Sequence, residues 1–207
     1  MATVGEIKAQ VADFLDRNDS DVRIARWLRQ AHKSIQRRHN YFAMESVAYT
    51  ALVPDQATFT TPGDFKLPVA LYVFDPFKNY IVRRFGKEDI EPLRAERMFN
   101  RKDVSIYSVW NNIIEINPAI AYDEATLQLR LDYYAYLELP ADDAGNFFTD
   151  KGEDYLIYKT LEDSAPFFGA DTRLTMWASK ATVAYNELRN ADIEARYNPG
   201  GPLIMRG

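Results

Sequence analysis

Apolar residues recur every three or four positions at both ends of the chain, a spacing that places them on one face of a helix. At the amino-terminal end it predicts a helix over residues 3–17, where Thr3 and Glu6 have the spacing of a capping box. A second helix is predicted over residues 20–40, and the short link between the two predicts a helical hairpin. The predicted apolar face of the second helix consists of Val22, Ala25, Leu28, Ala31 and Ile35.

The carboxyl-terminal part of the chain shows two more helical patterns. Asp150 and Glu153 repeat the capping-box spacing at a predicted helix over residues 151–168, in which Pro166 should kink or end the helix because it lacks an N–H donor. The last predicted helix covers residues 171–197. Its apolar positions are spaced like a short heptad seam, which favours packing in a bundle over a free coiled coil. They are Leu174, Trp177, Ala181, Ala184, Leu188 and Ala191.

Between residues 41 and 140 the pattern changes to β-branched and aromatic residues separated by Pro, Gly and Asn, which predicts strands and turns. The segment SIYSVWNNIIEINP predicts a hairpin with Asn111 and Asn112 at its tip, since asparagine tolerates positive φ. The segment ATLQLRLDYYAYLEL alternates apolar and polar residues most regularly. A short exposed helix is predicted for GKEDIEPLRAERM. The region therefore indicates a small antiparallel sheet or a sandwich.

The order of these patterns predicts an α+β fold. Residues 1–40 and 150–197 are expected to form a four-helix bundle from both chain ends, because the apolar faces of the terminal helices need partners. Residues 41–149 are expected to form an antiparallel β domain inserted between the second and third helices. Residues 198–207 are expected to be an extended tail.

The tail carries an unusual apolar triplet. Pro199, Gly200, Gly201 and Pro202 cannot continue the preceding helix. They are followed by the three apolar residues Leu203, Ile204 and Met205. We expect this triplet to bind a partner protein, although a frayed end or a fold-back onto the chain's own helices would also fit the sequence.

Composition narrows the class of protein. Hydrophobic residues make up 47% and charged residues 27%, as in globular proteins. No apolar run is long enough for a membrane span, and the start MATVGEIKAQ does not have the pattern of a secretory signal. Cysteine is absent, which excludes disulfides and thiolate metal sites. The 13 Tyr, 12 Phe and 3 Trp fit either an interface or an aromatic-rich sheet core.

The sequence contains no recognisable catalytic or cofactor-binding motif. His32 and His39 are interpreted as satisfied residues on a helix surface. Neither a glycine-rich phosphate loop nor a nucleophile elbow is present. Carboxylate pairs such as Asp142–Asp143 and Glu162–Asp163 are interpreted as solvated. The prediction is therefore a protein that is not an enzyme and that has no catalytic residues, metal or cofactor.

The charge pattern offers a candidate interface. The second predicted helix has a net charge of +4, whereas the whole chain carries −5. Four of its cations, Arg23, Arg26, Lys33 and Arg37, follow helical steps along one face. That face is either simply solvated or a docking stripe for an acidic partner or phosphates. A second copy could supply the partner through a cluster near the third helix, in a heterologous contact that closes into a ring. The cluster consists of Asp142, Asp143, Asp150, Glu153 and Asp154.

Several segments together resemble the head-to-tail adaptor proteins of tailed bacteriophages, which are also described as connectors, tail tubular or head-completion proteins. They are RIARWLRQAHKSIQRRHNY, FTTPGDFKLPVALYVF, YSVWNNIIEINP and LQLRLDYYAYLELPADDAGNFF, followed by DYLIYKTLEDSAPFFGADTRLTMWASKATVAYNELRNADIEARY. The resemblance spans nearly the whole chain, although GKEDIEPLRAERM departs from the pattern.

The resemblance implies a structural virion protein of the neck region, assembled in the host cytoplasm. Such adaptors form a ring, usually of twelve copies, beneath the portal protein, extend the DNA channel and bind the tail nozzle or tube. They have neither catalytic residues nor a cofactor. The negative net charge would let genomic DNA pass without binding. Leu203, Ile204 and Met205 would dock into a cleft between portal subunits.

Two other classes of protein stay open at this point. A carbohydrate-binding module of a phage or bacterial surface protein could use Tyr and Trp residues of the β region. A hydrolase could use a carboxylate pair that the sequence does not identify. Both alternatives predict a stable monomer rather than a ring, so a mass measurement distinguishes them from an adaptor.

Overall fold

The computed structural model describes residues 2–16, 21–52, 56–74, 79–84, 106–117, 128–168 and 173–196. These ranges contain five α-helices, one 3₁₀ helix and seven β-strands, which confirms the α+β class. The chain divides into two compact units. The helical unit comprises residues 1–43 and 138–207, and the β unit comprises residues 44–137. The segments GKEDIEPLRAERM and Leu203–Met205 lie outside the described residues.

The helices are α1 Val4–Leu15, α2 Asp21–Arg38, α3 Phe147–Lys151, α4 Glu153–Phe168 and α5 Leu174–Arg196. The predicted capping box at the start of α1 is confirmed, since the N–H of Thr3 donates to Glu6 Oε2 and the N–H of Glu6 donates to Thr3 Oγ1. Asp16, with φ of 52°, ends α1 in the left-handed region. None of the described helices combines the length and the apolar character that a membrane span needs.

Helix α4 lies at the centre of the helical unit. It contacts α1, α2 and α5, and α5 packs mainly on α4. Because neighbours surround it, α4 is buried on several sides, and its buried residues are Tyr155, Leu156, Ile157, Thr160, Leu161, Ser164 and Ala165. Pro166 lies inside α4, which ends two residues later. The other three long helices thus group around α4, and a regular four-helix bundle is not confirmed.

The apolar face predicted for α2 is correct at Leu28, Ala31 and Ile35, which are buried. It is wrong at Val22, which lies in the first turn and is 84% exposed. Ile24, one helical step before Leu28, occupies the core instead. The buried face is therefore rotated relative to the prediction, and it also contains two polar residues, His32 and Gln36.

The start of the third helical segment also differs from the prediction. Asn146, rather than Asp150, is the N-cap, because its Oδ1 accepts the N–H of Phe148 and of Thr149. Gly152 then separates α3 from α4. A Cβ atom at Gly152 would lie 3.1 Å from Leu188 Cδ2 and 2.9 Å from the Phe148 carbonyl oxygen. Glycine at this position therefore allows α5 to approach closely.

The β unit contains a sheet in the order β1-β7-β3-β4-β5-β6-β2. Pairings within β1-β7-β3-β4 and within β5-β6-β2 are antiparallel. The two groups meet in a short parallel pairing of β4 with β5, so the sheet is not antiparallel throughout. The strands are β1 Glu45–Ala51, β2 Thr58–Thr60, β3 Phe65–Phe74, β4 Asn79–Arg84, β5 Ile106–Trp110, β6 Ile113–Asn117 and β7 Gln128–Ala135.

Two strand predictions are confirmed in detail. Asn111 and Asn112 form the tip of the β5–β6 hairpin with φ of 44° and 61°, as two-residue turns of this kind require. Strand β7 alternates as predicted, and every second residue enters the core of the β unit. The residues of β7 that are buried in this way are Leu129, Leu131, Tyr133 and Ala135.

Candidate docking surfaces of the helical unit

The basic face of α2 consists of Arg23, Arg26, Lys33 and Arg37, and the structure places all four on the exposed side of the helix. Arg23 stacks on the ring of Phe167, with 4.3 Å between the guanidinium carbon and the ring centroid. Among the described residues, no carboxylate lies within ion-pair distance of Arg26, Lys33 or Arg37. Contacts among the described residues therefore leave most of this positive charge uncompensated.

The acidic cluster is partly used inside the chain. Lys8 forms an ion pair of 2.9 Å with Asp142, and Gln10 Nε2 donates to Glu153 Oε1 over 2.8 Å. These contacts hold α1 against the segments that flank α3. Asp150 pairs with Lys151 at 3.2 Å. The other two members, Asp143 and Asp154, are exposed.

The structure reveals a site that the sequence patterns did not predict, an open pocket of about 440 Å³. It lies between the carboxyl-terminal half of α5 and the segment from α3 into α4. Alanines on α5 leave its centre unfilled, and a tightly packed leucine and three aromatic rings form much of the wall. These apolar residues are Phe42, Phe147, Tyr155, Ala184, Leu188 and Ala191.

A buried carboxylate fixes one wall of the pocket. Asp192 accepts the N–H of Phe42 at 2.6 Å, and its Oδ2 lies 3.0 Å from His39 Nε2 and 3.1 Å from Arg196 Nε. Arg196 also donates to the carbonyl oxygen of Asn40 at 2.6 Å. The end of α5 is thereby tied to the segment after α2. Phe42 is held at the pocket with 61% of its surface exposed.

Asp192 also corrects the predicted seam of α5. Trp177, Ala181 and Leu188 are buried as expected. Near the end of the helix, however, the buried residue is Asp192 and not its neighbour Ala191, which is exposed. Three donors around the Asp192 carboxylate explain why Asp192 rather than Ala191 is buried, because a carboxylate is tolerated in a protein interior only when it is paired. A carboxylate next to an alanine gives no periodic signal of such a role.

The prediction that both histidines lie on a helix surface is wrong. His32 is buried, with Gln36 Nε2 3.1 Å from its Nδ1 and Asn146 Nδ2 3.3 Å from its Nε2. Burial lowers the pKa of His32 to about 4, so the ring is neutral at pH 7. His39 follows the end of α2 and binds Asp192. Both are satisfied, and both hold parts of the helical unit together.

The described part of the helical unit offers surfaces suited to binding. Within the described ranges, no three His, Cys, Asp or Glu residues come together as a group that could hold a metal ion. Burial also raises the pKa of Tyr41, whose ring packs against Phe148 in the core beside the pocket. An exposed basic face, exposed carboxylates and an open apolar pocket are typical of a protein that acts by binding other proteins.

Comparison with known protein families identifies the family to which this protein belongs. The family model described as SU10 adaptor protein matches residues 2–206, so the chain belongs to this family of phage head–tail adaptors. The resemblance inferred from the sequence is thereby confirmed. A comparison with curated proteins finds no match. Membership in the family makes the protein a structural component of the virion, with other phage proteins as its partners.

Proposed function

We propose that the protein assembles into a ring, of twelve copies as in the adaptors it resembles, that joins the portal protein to the tail nozzle or tail tube. The ring extends the DNA channel in the neck of the virion, and genomic DNA passes through it without specific binding. The family match over residues 2–206 is the observation that carries this proposal. It also favours an adaptor over the carbohydrate-binding module and the hydrolase, since neither of those follows from the family.

The charge distribution supports contacts between copies. The basic face of α2 has most of its charge uncompensated within the described chain, and Asp143 and Asp154 are exposed. Opposite charges on different surfaces of one chain favour a heterologous contact, which closes into a ring when the rotation between copies permits. Because such contacts can depend on a template, the free protein is expected to be monomeric at low concentration.

We further propose a division of labour along the chain. The predicted helical domain, residues 1–40 and 150–197, makes the contacts between neighbouring copies. The predicted β domain, residues 41–149, faces the tail nozzle or tube. Residues 198–207 form the tail that reaches the portal, where Leu203, Ile204 and Met205 dock into a cleft between its subunits.

The tail anchor is energetically reasonable. Burying three such side chains contributes roughly 4–8 kcal/mol before ordering costs. Ordering about ten tail residues offsets much of that gain. A small surplus in each copy, repeated around a ring, still becomes firm attachment.

Particle imaging of the protein mixed with the portal protein of the same phage tests the assembly. We expect a ring of adaptor copies coaxial with the portal, with the helical part in contact with neighbouring copies. A protein that stays monomeric beside intact portals at all concentrations would contradict the proposal, and a bound sugar on such a monomer would support the carbohydrate-binding module instead.

A further inference from the structure

Two exposed apolar side chains lie where α2 begins and α4 ends. Val22 is 84% exposed and Phe167 is 52% exposed. Phe167 is supported from within its own chain, because its ring centroid lies 5.8 Å from that of Trp27 and Arg23 stacks on it. Val22 precedes Arg23 in the first turn of α2, and we name Val22 and Phe167 together the Phe167 patch. The patch is an aromatic projection that Trp27 supports from below, and Arg23 and Arg26 form its basic border.

The Phe167 patch and the pocket lie at opposite ends of the helical unit. The rings of Tyr155 and Tyr185 are 6.2 Å apart, and Lys180 Nζ donates to the Tyr158 hydroxyl. Helices α4 and α5 therefore run antiparallel, so the end of α4 lies beside the beginning of α5. The pocket lies around Leu188, roughly 20 Å further along α5 at 1.5 Å per residue. Phe167 cannot reach the pocket of its own chain.

The two surfaces match in size and in charge. An apolar cavity of roughly 150 Å³ holds a benzene ring, so a pocket of about 440 Å³ has room for a phenylalanine ring and a valine. Asp154 and Glu187 lie exposed on its rim. Of the other two charged residues that line the pocket, Lys151 forms an ion pair with Asp150 and Asp192 is buried. An acidic rim thus surrounds the apolar pocket, whereas arginines border the apolar projection.

We infer that the occupant of the pocket is a second copy of this chain, which inserts its Phe167 patch. Arg23 and Arg26 of one copy then face Asp154 and Glu187 of the next. This contact rests on the proposed ring and supplies its apolar anchor, with charged residues around a buried aromatic centre as in binding hot spots. Since each copy carries one projection and one pocket, the contact is heterologous and repeats from copy to copy.

Disulfide trapping tests the contact directly, because the chain contains no cysteine of its own. We expect the double variant Phe167→Cys with Ala191→Cys, oxidised in the presence of portal, to form a ladder of cross-linked oligomers. The two positions lie roughly 25 Å apart within one chain, because Ala191 is 17 residues beyond Leu174 at the start of α5, and this is too far for an internal disulfide. A mixture of the two single variants should give dimers and nothing larger, because each copy then carries one reactive surface.

The matched control replaces Ala191→Cys with Val183→Cys. Val183 is on the same helix, is 53% exposed and lies roughly 12 Å from Ala191, outside the pocket. We expect at least tenfold less cross-linking from Phe167→Cys with Val183→Cys, roughly the discrimination that a specific contact provides. Equal cross-linking in both pairs would overturn the inference, because it would mean random collision rather than docking.

A second pair of variants tests the contact without cysteines. Phe167→Asp removes the projection and Ala191→Trp fills the pocket, and both positions are exposed, so the helical fold should be retained in circular dichroism. Each variant alone should associate roughly 10- to 100-fold more weakly than the unaltered chain. Mixed together, they should form dimers through the one intact pair of surfaces.

The outcomes separate the contact from the proposed function. Rings seen with the unaltered chain and with both variants would overturn the contact and leave the adaptor proposal intact. Absence of rings with every form, including the unaltered chain, would contradict the adaptor proposal itself. Binding of a synthetic peptide of residues 197–207 in the pocket, blocked by Ala191→Trp, would show that the chain's own tail is the occupant and would overturn the inference.

Discussion

The two units of this chain differ in how many polar residues they bury. The core of the β unit is mainly apolar and aromatic, with Leu71, Leu129 and Leu131 among its members, and the buried polar residues of its described part are Ser108 and Glu115. The described part of the helical unit buries six polar residues. They are His32, Gln36, Thr149, Thr160, Ser164 and Asp192.

The difference follows from the geometry of the elements. A strand turns every second side chain away from the core, so β7 can place Arg130 and Asp132 outside while Leu129 and Leu131 lie inside. Helix α4 has neighbours on several sides, and some of its polar residues are buried whatever their position. The Ser164 hydroxyl donates to the Leu161 carbonyl oxygen at 2.8 Å, whereas Thr160 Oγ1 is buried without a hydrogen-bond partner among the described residues. Polar burial in the helical unit is therefore a result of its layout.

The strongest test of this contrast separates the two units. Removing residues 44–138 and bridging the gap with a short flexible linker should leave a folded helical core that still binds portal, because its buried residues contact one another within the helical unit. Circular dichroism and portal pull-down would measure this. An unfolded product would show that the helical unit needs the β unit, and would contradict the proposed division of labour.

Single core substitutions should have large effects in both units. Leu131 and Leu156 are buried in the β unit and in the helical unit respectively. Replacing either leucine with alanine should lower the free energy of unfolding by about 2–5 kcal/mol, because the leucine is removed from water and the cavity does not fully collapse. Chemical denaturation measures this, with exposed Gln128→Ala as the control. A loss below 1 kcal/mol at Leu156 would mean that the core around α4 is loosely packed.

The predictability of the two units differs for the same reason. The alternation in β7 and the Asn111–Asn112 turn are local, so sequence reasoning places them correctly. The buried face of α2 depends on where α4 lies, and that information is spread over distant segments. Ile24 and Val22 are both apolar, and only the packing against α4 decides which is buried. The capping box at Thr3 is local and was predicted correctly. The N-cap at Asn146 was not, because the sequence also offers Asp150 as an N-cap and only the position of α3 decides between them.

The candidate surfaces follow the same rule. The basic face of α2 is predictable because its cations lie on one helix at helical spacing. The pocket is not predictable from the sequence. It forms where Leu188 packs closely against Gly152 and where alanines of α5 leave space beside Phe42. None of these residues has an unusual pattern of neighbours in the sequence. Asp192 is similarly inconspicuous until the fold places Phe42, His39 and Arg196 around it.

The buried histidine should make the helical unit more sensitive to acid than the β unit. The unfolded chain protonates this imidazole near pH 6.5, whereas burial lowers the pKa of His32 in the folded protein to about 4. Above pH 6.5 the imidazole is neutral in both states, so its burial does not reduce the free energy of unfolding. As the pH falls from 6.5 towards 4, only the unfolded chain binds the proton, and the free energy of unfolding decreases. Between pH 7 and pH 5, His32 lowers the free energy of unfolding by about 2 kcal/mol.

Replacing His32 with Gln isolates this contribution. The variant should be less stable at pH 7, because the contacts to Gln36 and Asn146 change, but its stability should fall less between pH 7 and pH 5 than that of the unaltered protein. Denaturation curves at both pH values give the two slopes. Equal slopes would mean that His32 is protonated in the folded state and would contradict the lowered pKa.

The charged surface of the helical unit should affect assembly while leaving stability nearly unchanged. Arg26 and Lys33 are exposed, and no described carboxylate pairs with them. Arg26→Glu with Lys33→Glu should change the free energy of unfolding by less than about 1 kcal/mol. It should weaken ring formation on portal, more strongly at low salt than at high salt, because mobile ions screen exposed charges. Unchanged assembly at both salt concentrations would exclude the basic face as an interface.

The smallest effect on stability is expected from the tail. If Leu203, Ile204 and Met205 bind portal, then removing residues 199–207 takes away no contact of the isolated protein's own core. Its melting temperature should therefore stay nearly unchanged, whereas stable joining to portal should be lost. Thermal unfolding and portal co-sedimentation measure the two, and replacing only the triplet with serines provides a control that keeps the length of the tail. Normal completion of heads by the truncated protein would refute docking by the tail, and a much lower melting temperature would instead place the triplet in the core of its own helical unit.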